Sequence, residues 1–172
     1  MIGGRAYRRR RVAAITAMRG VFSGIALVFL VSLLAACGGS SRLSASAYRT
    51  QLAKIGKEAN TAQAQVEKGL SAKSVAELRT RLSAFANADD RLGDEVSRLK
   101  PPKNAQAANA ELARGEHDTA SATRSAVAEV AKMKNVKEAL SLLNSRLGNA
   151  KGAHELDHAL SELRKLGYAK GS

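Results

Sequence analysis

The chain has 172 residues, no tryptophan, one cysteine and 3% aromatic residues, while 45% of its residues are hydrophobic. This length allows one domain, and the scarcity of β-branched and aromatic residues argues against a β-sandwich or a β-barrel. The composition therefore favours helices. The formal charge of +13 is concentrated at the start, since six of the 28 basic residues lie in the first 19 positions.

Residues 1–36 have the order of a secretory signal peptide. A basic stretch that ends at Arg19 precedes an apolar run over residues 21–34, and small residues follow. The run is shorter than the roughly 20 apolar residues of a membrane-spanning helix, so a permanent transmembrane helix is the weaker interpretation. Translation from Met1 or from Met18 predicts the same mature protein, because both starts keep the apolar run.

The residues at the end of this run are Leu34-Ala35-Ala36-Cys37. This tetrapeptide resembles the lipobox of bacterial lipoproteins. The resemblance implies that the thiol of Cys37 receives a diacylglycerol, that the signal is removed just before it, and that Cys37 becomes the first residue. It also implies a location at the outer face of the cell membrane. An ordinary signal peptide that happens to carry a cysteine is the alternative.

Lipidation also accounts for the lone cysteine, which would otherwise be an unpaired thiol in an exported protein. Two acyl chains anchor a protein stably, whereas a single chain binds only marginally. We expect residues 37–43 to form the lipidated cysteine and a flexible tether rich in glycine and serine. A chain with one cysteine has no internal disulfide, so its fold must depend on the core.

Apolar spacing predicts two long helices before residue 101. The first is capped by Ser44 or Ser46, closes at Gly69, and has an inward stripe of Leu52, Ile55, Ala59, Ala62 and Val66. The second starts at a capping-box spacing, Ser74 to Glu77, and its stripe is Val75, Leu78, Leu82, Phe85, Ala88, Leu92, Val96 and Leu99. Pro101 and Pro102 stop this helix.

Three further helical patterns follow the prolines. Residues 103–134 have a seam of small side chains that allows a close neighbour: Ala108, Leu112, Gly115, Thr119, Ala122, Ala126, Val130 and Met133. A capping-box spacing at Asn135 and Glu138 starts the next pattern, with Val136, Leu140, Leu143 and Leu147 on one face. Gly148, Asn149 and Gly152 interrupt it. The last pattern runs from about 153 to 166, has Ala153, Leu156, Leu160 and Leu163 inward, and ends at Gly167 followed by Tyr168.

These elements predict an all-α fold, an antiparallel up-and-down helical bundle. Three long helices would occupy three positions, and one interrupted helix or two short helices would occupy the fourth. The short connections favour packing within the chain over an intermolecular coiled coil. The predicted organisation is a signal peptide at 1–36, the lipidated cysteine and tether at 37–43, the bundle at 44–168 and a tail at 169–172.

The string His154-Glu155-Leu156-Asp157-His158 matches the zinc-binding pattern HExxH. In that pattern two histidines one helical turn apart bind the metal and the glutamate activates water. Asp157 is charged where zinc peptidases have uncharged residues, and the inward leucines place both histidines on the solvent face. We therefore interpret His154 and His158 as exposed side chains, and a metal site made by this pair is the alternative.

Two other sets of residues carry side chains that could bind a metal or act as acids and bases. His117 lies opposite the small-residue seam and is expected to be exposed; it would join the other histidines only if its helix met the last helix through their outer faces. Asp89 and Asp90 would suit acid–base work if they were buried, but the adjacent Arg91 favours a solvated helix edge. No serine lies in a nucleophile-elbow pattern and no glycine-rich phosphate loop follows a strand pattern, so we predict neither catalysis nor a cofactor.

The mature part carries 22 basic and 15 acidic residues, and these are interleaved along the chain. Nucleic-acid modules concentrate charge and add stacking aromatics, so nucleic acid is not an expected partner. The whole arrangement resembles small alanine-rich helical lipoproteins of high-GC Gram-positive bacteria, a likeness that implies a location and no reaction. We expect a lipid-anchored envelope protein that acts through binding or structure, with the membrane, anionic envelope components or another envelope protein as partners.

Overall fold

The computed structural model describes residues 42–69, 71–148 and 150–169, and these form five helices without a strand. They are α1 (Ala45–Gly69), α2 (Val75–Arg98), α3 (Gln106–Val130), α4 (Val136–Leu147) and α5 (Lys151–Lys165). A 3-10 turn, Lys103–Ala105, leads into α3. The prediction of an all-α fold is confirmed.

The centre of the bundle is the antiparallel pair α2 and α3. Helix α1 packs along α2, while α4 and α5 follow one another along α3. Contacts of α5 run in the opposite direction to α3, from Lys151 beside Asp118 to Tyr168 beside Asn104. The fourth position of the bundle is therefore filled by two short helices, which settles the alternative that the sequence left open.

The helix starts follow the predicted caps with one difference. Ser44 caps α1 by accepting a hydrogen bond from the N–H of Ala47 at 3.2 Å, and Ser74 caps α2 by accepting from the N–H of Glu77 at 3.1 Å. The Glu77 carboxylate accepts from the N–H of Lys73 at 2.9 Å, one residue before the cap, and not from the cap itself. The same shift occurs at the start of α4, where Asn135 is the cap.

Helix α5 ends as the sequence predicts. Gly167 has a φ of 74°, a conformation that glycine adopts without steric cost. The N–H groups of Gly167 and Tyr168 donate to the carbonyls of Arg164 and Leu163 at 2.9 and 2.8 Å, which satisfies two carbonyls of the last turn. Tyr168 then folds back into the bundle, edge-on to Tyr48 with ring centroids 5.1 Å apart.

Two separate apolar clusters form the core. We call the end at which α1 begins, α2 ends, α3 begins and α5 ends the proline end, after Pro101 and Pro102. The proline-end cluster joins residues of these four helices, among them Tyr48, Leu52, Leu92, Val96, Leu112, Leu156 and Leu163. The distal cluster joins α2, α3 and α4 through Leu78, Leu82, Ala126, Val130, Ala139 and Leu143.

Several predicted inward positions prove to be only half-buried. Phe85 and Ala88 of α2 face a groove against α1 with a volume of about 390 Å³, while Ala86 and Asp89 take the buried positions. In α5, Ala153 and Leu160 are half-buried and Ala159 is buried instead. The buried face of each helix is thus rotated by a fraction of a turn from the predicted face. The sequence does not distinguish the two faces, because apolar residues lie on both and each set has the helical period.

The small-residue seam of α3 does allow close packing. A Cβ on Gly115 would lie 2.9 Å from the side chain of Leu156 in α5. Gly152, which was expected to interrupt a helix, lies in the first turn of α5 and packs on Thr119. Helix α4 ends at Leu147 and α5 begins at Lys151.

Candidate functional site

Polar residues occupy the space between the two apolar clusters. Asp89 of α2 lies between Leu82 and Leu92, and three residues of α3, Glu116, Thr119 and Thr123, lie between Ala113 and Ala126. Asp89 is 4% exposed, Glu116 is 5% exposed and Thr123 is 0% exposed. We call these four residues the polar layer. It interrupts the core at the level where α4 ends and α5 begins.

The two acids of the polar layer hold their protons to unusually high pH. Burial is the main cause that raises the pKa of Asp89 to about 8, and the nearby charges of Glu116 and Asp90 contribute to the same shift. Burial alone raises the pKa of Glu116 to about 7. Because a buried carboxylate loses its hydration, the neutral acid is the favoured form. The layer therefore binds or releases protons near neutral pH.

Three side chains of the polar layer have an oxygen without a hydrogen-bond partner among the described residues. These atoms are Asp89 Oδ2, Thr119 Oγ1 and Thr123 Oγ1. A fourth such atom, Glu155 Oε2, belongs to α5. Buried polar groups without partners are rare and cost stability. The polar layer thus weakens the middle of the bundle relative to its two apolar ends.

A second buried polar contact shows the usual, satisfied arrangement. Asn109 of α3 is 5% exposed, and its Oδ1 accepts from the hydroxyl of Tyr48 at 3.0 Å. Its Nδ2 donates to the carbonyl of Val96 at 3.0 Å. This contact ties α1, α2 and α3 together inside the proline-end cluster, and it makes the unpartnered oxygens of the polar layer a distinct feature.

On the surface beside the polar layer, Asp90 joins α2 to α3. Its carboxylate lies 2.7 Å from Arg124 Nη2 and 2.8 Å from His117 Nδ1. These two hydrogen bonds hold the pKa of Asp90 below its usual range, and the bond from Arg124 has the larger effect. His117 also covers Gly93, where a Cβ would lie 2.8 Å from the ring. Asp89 and Asp90 are therefore adjacent in sequence but opposite in environment.

The expectation of a solvated helix edge is wrong for Asp89 and correct for Asp90. Asp89 lies on the same buried face of α2 as Ala86 and Gly93. Sequence reasoning passed over Glu116 and Thr123. A signal for Glu116 was present, because it follows Leu112 and precedes Ala120 by four residues each and so shares their buried face.

The histidines of the HExxH string are both exposed, and His158 lies 2.8 Å from Glu111 of α3. His117 is turned towards α2, whereas α5 meets α3 through the Gly115 and Thr119 face. The condition under which His117 would join the other histidines is therefore not met. Within the described parts of the chain, no group of three histidine, cysteine or acidic side chains is arranged to hold a metal ion.

Cys37 and the rest of the lipobox lie outside the described residues, as do the signal peptide and most of the tether. Among the helices that are described, none combines the length and the apolar content needed to cross a membrane. The chain matches no protein-family model, no curated protein and no solved structure.

Proposed function

We propose that this protein is a lipid-anchored helical module on the outer face of the cell membrane, with the lipid on Cys37, and that it acts by binding or as a structural element. The lipobox Leu34-Ala35-Ala36-Cys37 and the preceding apolar run are the sequence basis of the proposal. Another envelope protein or an anionic envelope component is the proposed partner class.

The observation that carries the proposal is the position at which the bundle begins. The N–H of Leu43 donates to the carbonyl of Lys100 at 2.7 Å, and Arg42 Nη1 donates to the carbonyl of Pro101 at 3.2 Å. The folded chain is thus fixed to the bundle only a few residues after Cys37. This short separation supports the proposed order of lipidated cysteine, tether and folded module.

A role in binding or structure fits the placement of the chemically capable side chains. His154 and His158 are exposed on α5, whereas Asp89 and Glu116 are enclosed between α2 and α3. The exposed faces carry ion pairs between helices, such as Lys151 with Asp118 at 2.8 Å. The histidines face solvent while the two acids are enclosed, so these groups do not form one reaction centre, which favours recognition by a surface.

The experiment is expression of the full chain in a bacterium that processes lipoproteins, with Cys37→Ser beside the wild type. We expect wild-type protein in the membrane fraction, with a mass that corresponds to a chain starting at Cys37 plus a diacylglycerol. Cys37→Ser should remain an uncut precursor or leave the membrane. Ser41→Ala, outside the tetrapeptide, is the matched control and should behave as the wild type.

A free thiol on Cys37 in the wild-type protein, shown by alkylation and peptide mass, would overturn the proposal. An unchanged distribution and mass of the Cys37→Ser variant would do the same.

A further inference from the structure

The proline end of the bundle is rich in basic residues. The segments that meet there, 42–49, 98–109 and 162–169, contain seven basic residues and one acidic residue. The basic residues are Arg42, Arg49, Arg98, Lys100, Lys103, Arg164 and Lys165. The acidic residue, Glu162, lies 2.6 Å from Lys165, and Asp94, one turn before Arg98 in α2, lies 3.1 Å from that arginine.

The charges at this end are displayed to solvent. Arg42, Arg49, Lys100 and Lys103 are exposed. Arg42 and Arg49 donate hydrogen bonds to the main-chain carbonyls of Pro101 and Gly167, at 3.2 and 2.7 Å. A carbonyl orients a guanidinium without cancelling its charge, so these arginines remain cations in fixed positions. Such a surface attracts anions over a distance of about one Debye length, about 8 Å.

The tether determines which end of the bundle lies nearest a membrane. Four residues separate Cys37 from Arg42, and an extended residue spans at most about 3.6 Å, so the proline end stays within about 18 Å of a lipidated Cys37. Helix α2 has 24 residues and is therefore about 36 Å long. Basic residues at the distal end, such as Lys132 and Lys137, lie several Debye lengths farther away.

We propose that the proline end binds the surface of anionic phospholipids, an inference that rests on the proposed lipid anchor because the anchor places this end at the membrane. The seven cations lie where four helix ends meet, and the tether is short enough to let them contact the headgroups. Each basic residue near an anionic bilayer strengthens binding by about fivefold. Together with the anchor they orient the bundle with its long axis pointing away from the membrane.

The test uses the chain from residue 37 to Ser172 with Cys37→Ser, so that no lipid contributes to binding; this piece contains every described helix. Sedimentation with vesicles of phosphatidylcholine alone, or with about one-third phosphatidylglycerol, measures partitioning. We expect binding to the anionic vesicles only, and its loss near 1 M salt, where the Debye length is about 3 Å. Circular dichroism on the same samples establishes that the piece and its variants are helical.

The decisive variant is Lys100→Glu with Lys103→Glu, because both side chains are exposed and make no described contact that the fold depends on. We expect it to lower partitioning into anionic vesicles at least tenfold. Lys132→Glu with Lys137→Glu makes the same change of charge at the distal end and should lower it much less. If the first double variant loses helicity, Lys100→Glu alone replaces it, with an expected loss of about fivefold or more.

Equal binding to neutral and anionic vesicles would overturn the inference, as would equal losses for the two double variants, because total charge would then be responsible. Binding to an anionic wall polymer without binding to vesicles would also overturn it. These outcomes leave the lipid anchor untouched, since the mass of Cys37 tests the anchor separately.

Discussion

Gly152 of α5 packs on Thr119 of α3 so closely that a Cβ on the glycine would lie 2.6 Å from both the main-chain nitrogen and Oγ1 of the threonine. The carbonyl oxygen of Gly115 would lie 2.8 Å from the same Cβ. Two of these three atoms belong to the main chain of a helix and cannot move aside cheaply. The contact brings the start of α5 against the polar layer, immediately after the break from α4.

Gly152→Ala is therefore expected to destabilise the bundle. Overpacking costs about 1 to 3 kcal/mol, and this outweighs the gain of up to about 1 kcal/mol from replacing glycine inside a helix. Urea denaturation gives the free energy of unfolding. Gly56→Ala is the matched control, because Gly56 lies half-exposed within α1 and should yield only the gain. Equal stabilisation by both substitutions would contradict the close contact.

The number and type of the elements could be predicted because the signals that start and stop helices are local. Pro101 and Pro102, the caps Ser74 and Asn135, and Gly167 each act on the backbone within one turn. Whether the fourth position holds one helix or two could not be predicted, because glycine both interrupts helices and allows their close packing. Gly148 and Gly152 look alike in sequence and serve these two different purposes.

The burial of Asp89 could not be predicted because residue type and helical phase disagree. Asp89 lies seven residues from both Leu82 and Val96, a buried position by spacing, yet acidic residues are almost never buried without a partner. The apolar residues Phe85 and Ala88 continue a hydrophobic stripe, so the sequence predicts that they face inward and Asp89 does not. Only the contact between α2 and α3 decides which face turns inward, and that contact joins residues far apart in sequence.

The polar layer predicts that the protein is more stable in weak acid than in weak base. The pKa values of Asp89 and Glu116 are raised from 3.8 and 4.5 in the unfolded chain to about 8 and about 7. The folded state thus binds more protons between pH 4 and pH 8, and linkage requires the free energy of unfolding to fall as pH rises through this range. Above pH 5 the two raised pKa values span about 3 and about 2 pH units, and each unit corresponds to about 1.4 kcal/mol, so we expect a loss on the order of 6 kcal/mol between pH 5 and pH 9.

Asp89→Asn with Glu116→Gln should abolish most of this loss, because the amides are neutral at every pH. Asp157→Asn, at an exposed position of α5, is the control and should keep the wild-type profile. Urea denaturation in a series of buffers measures the effect. A wild-type stability that is flat or rising from pH 5 to pH 9 would show that the two acids are ionised in the folded state.

Substitutions of leucine test the two apolar clusters separately. Leu163 in the proline-end cluster is 0% exposed and Leu82 in the distal cluster is 3% exposed. Each change to alanine should lower the free energy of unfolding by about 2 to 5 kcal/mol. Leu160→Ala, at a half-buried position of α5, should cost clearly less than Leu163→Ala. Equal costs at Leu160 and Leu163 would mean that both side chains are fully buried. The inward face of α5 would then be rotated from the observed one.

The last prediction concerns the metal alternative at His154 and His158. Both side chains are exposed, and the nearest partner of His158 is Glu111, at 2.8 Å. A zinc site requires a third ligand and hydrogen bonds that orient the imidazoles. Replacing both histidines with alanine should change stability by about 0.5 kcal/mol per site or less, as exposed substitutions usually do.

The measurement is the metal content of protein purified without an affinity tag, followed by zinc titration of the wild type and of the double variant. We expect weak binding that does not reach one metal per chain. His117→Ala serves as the comparison, because His117 is held by Asp90 on the α2 side and should contribute nothing to metal binding. One tightly bound zinc per chain that is lost in the double variant would instead make Glu111, beside His158, the first residue to examine as a further ligand.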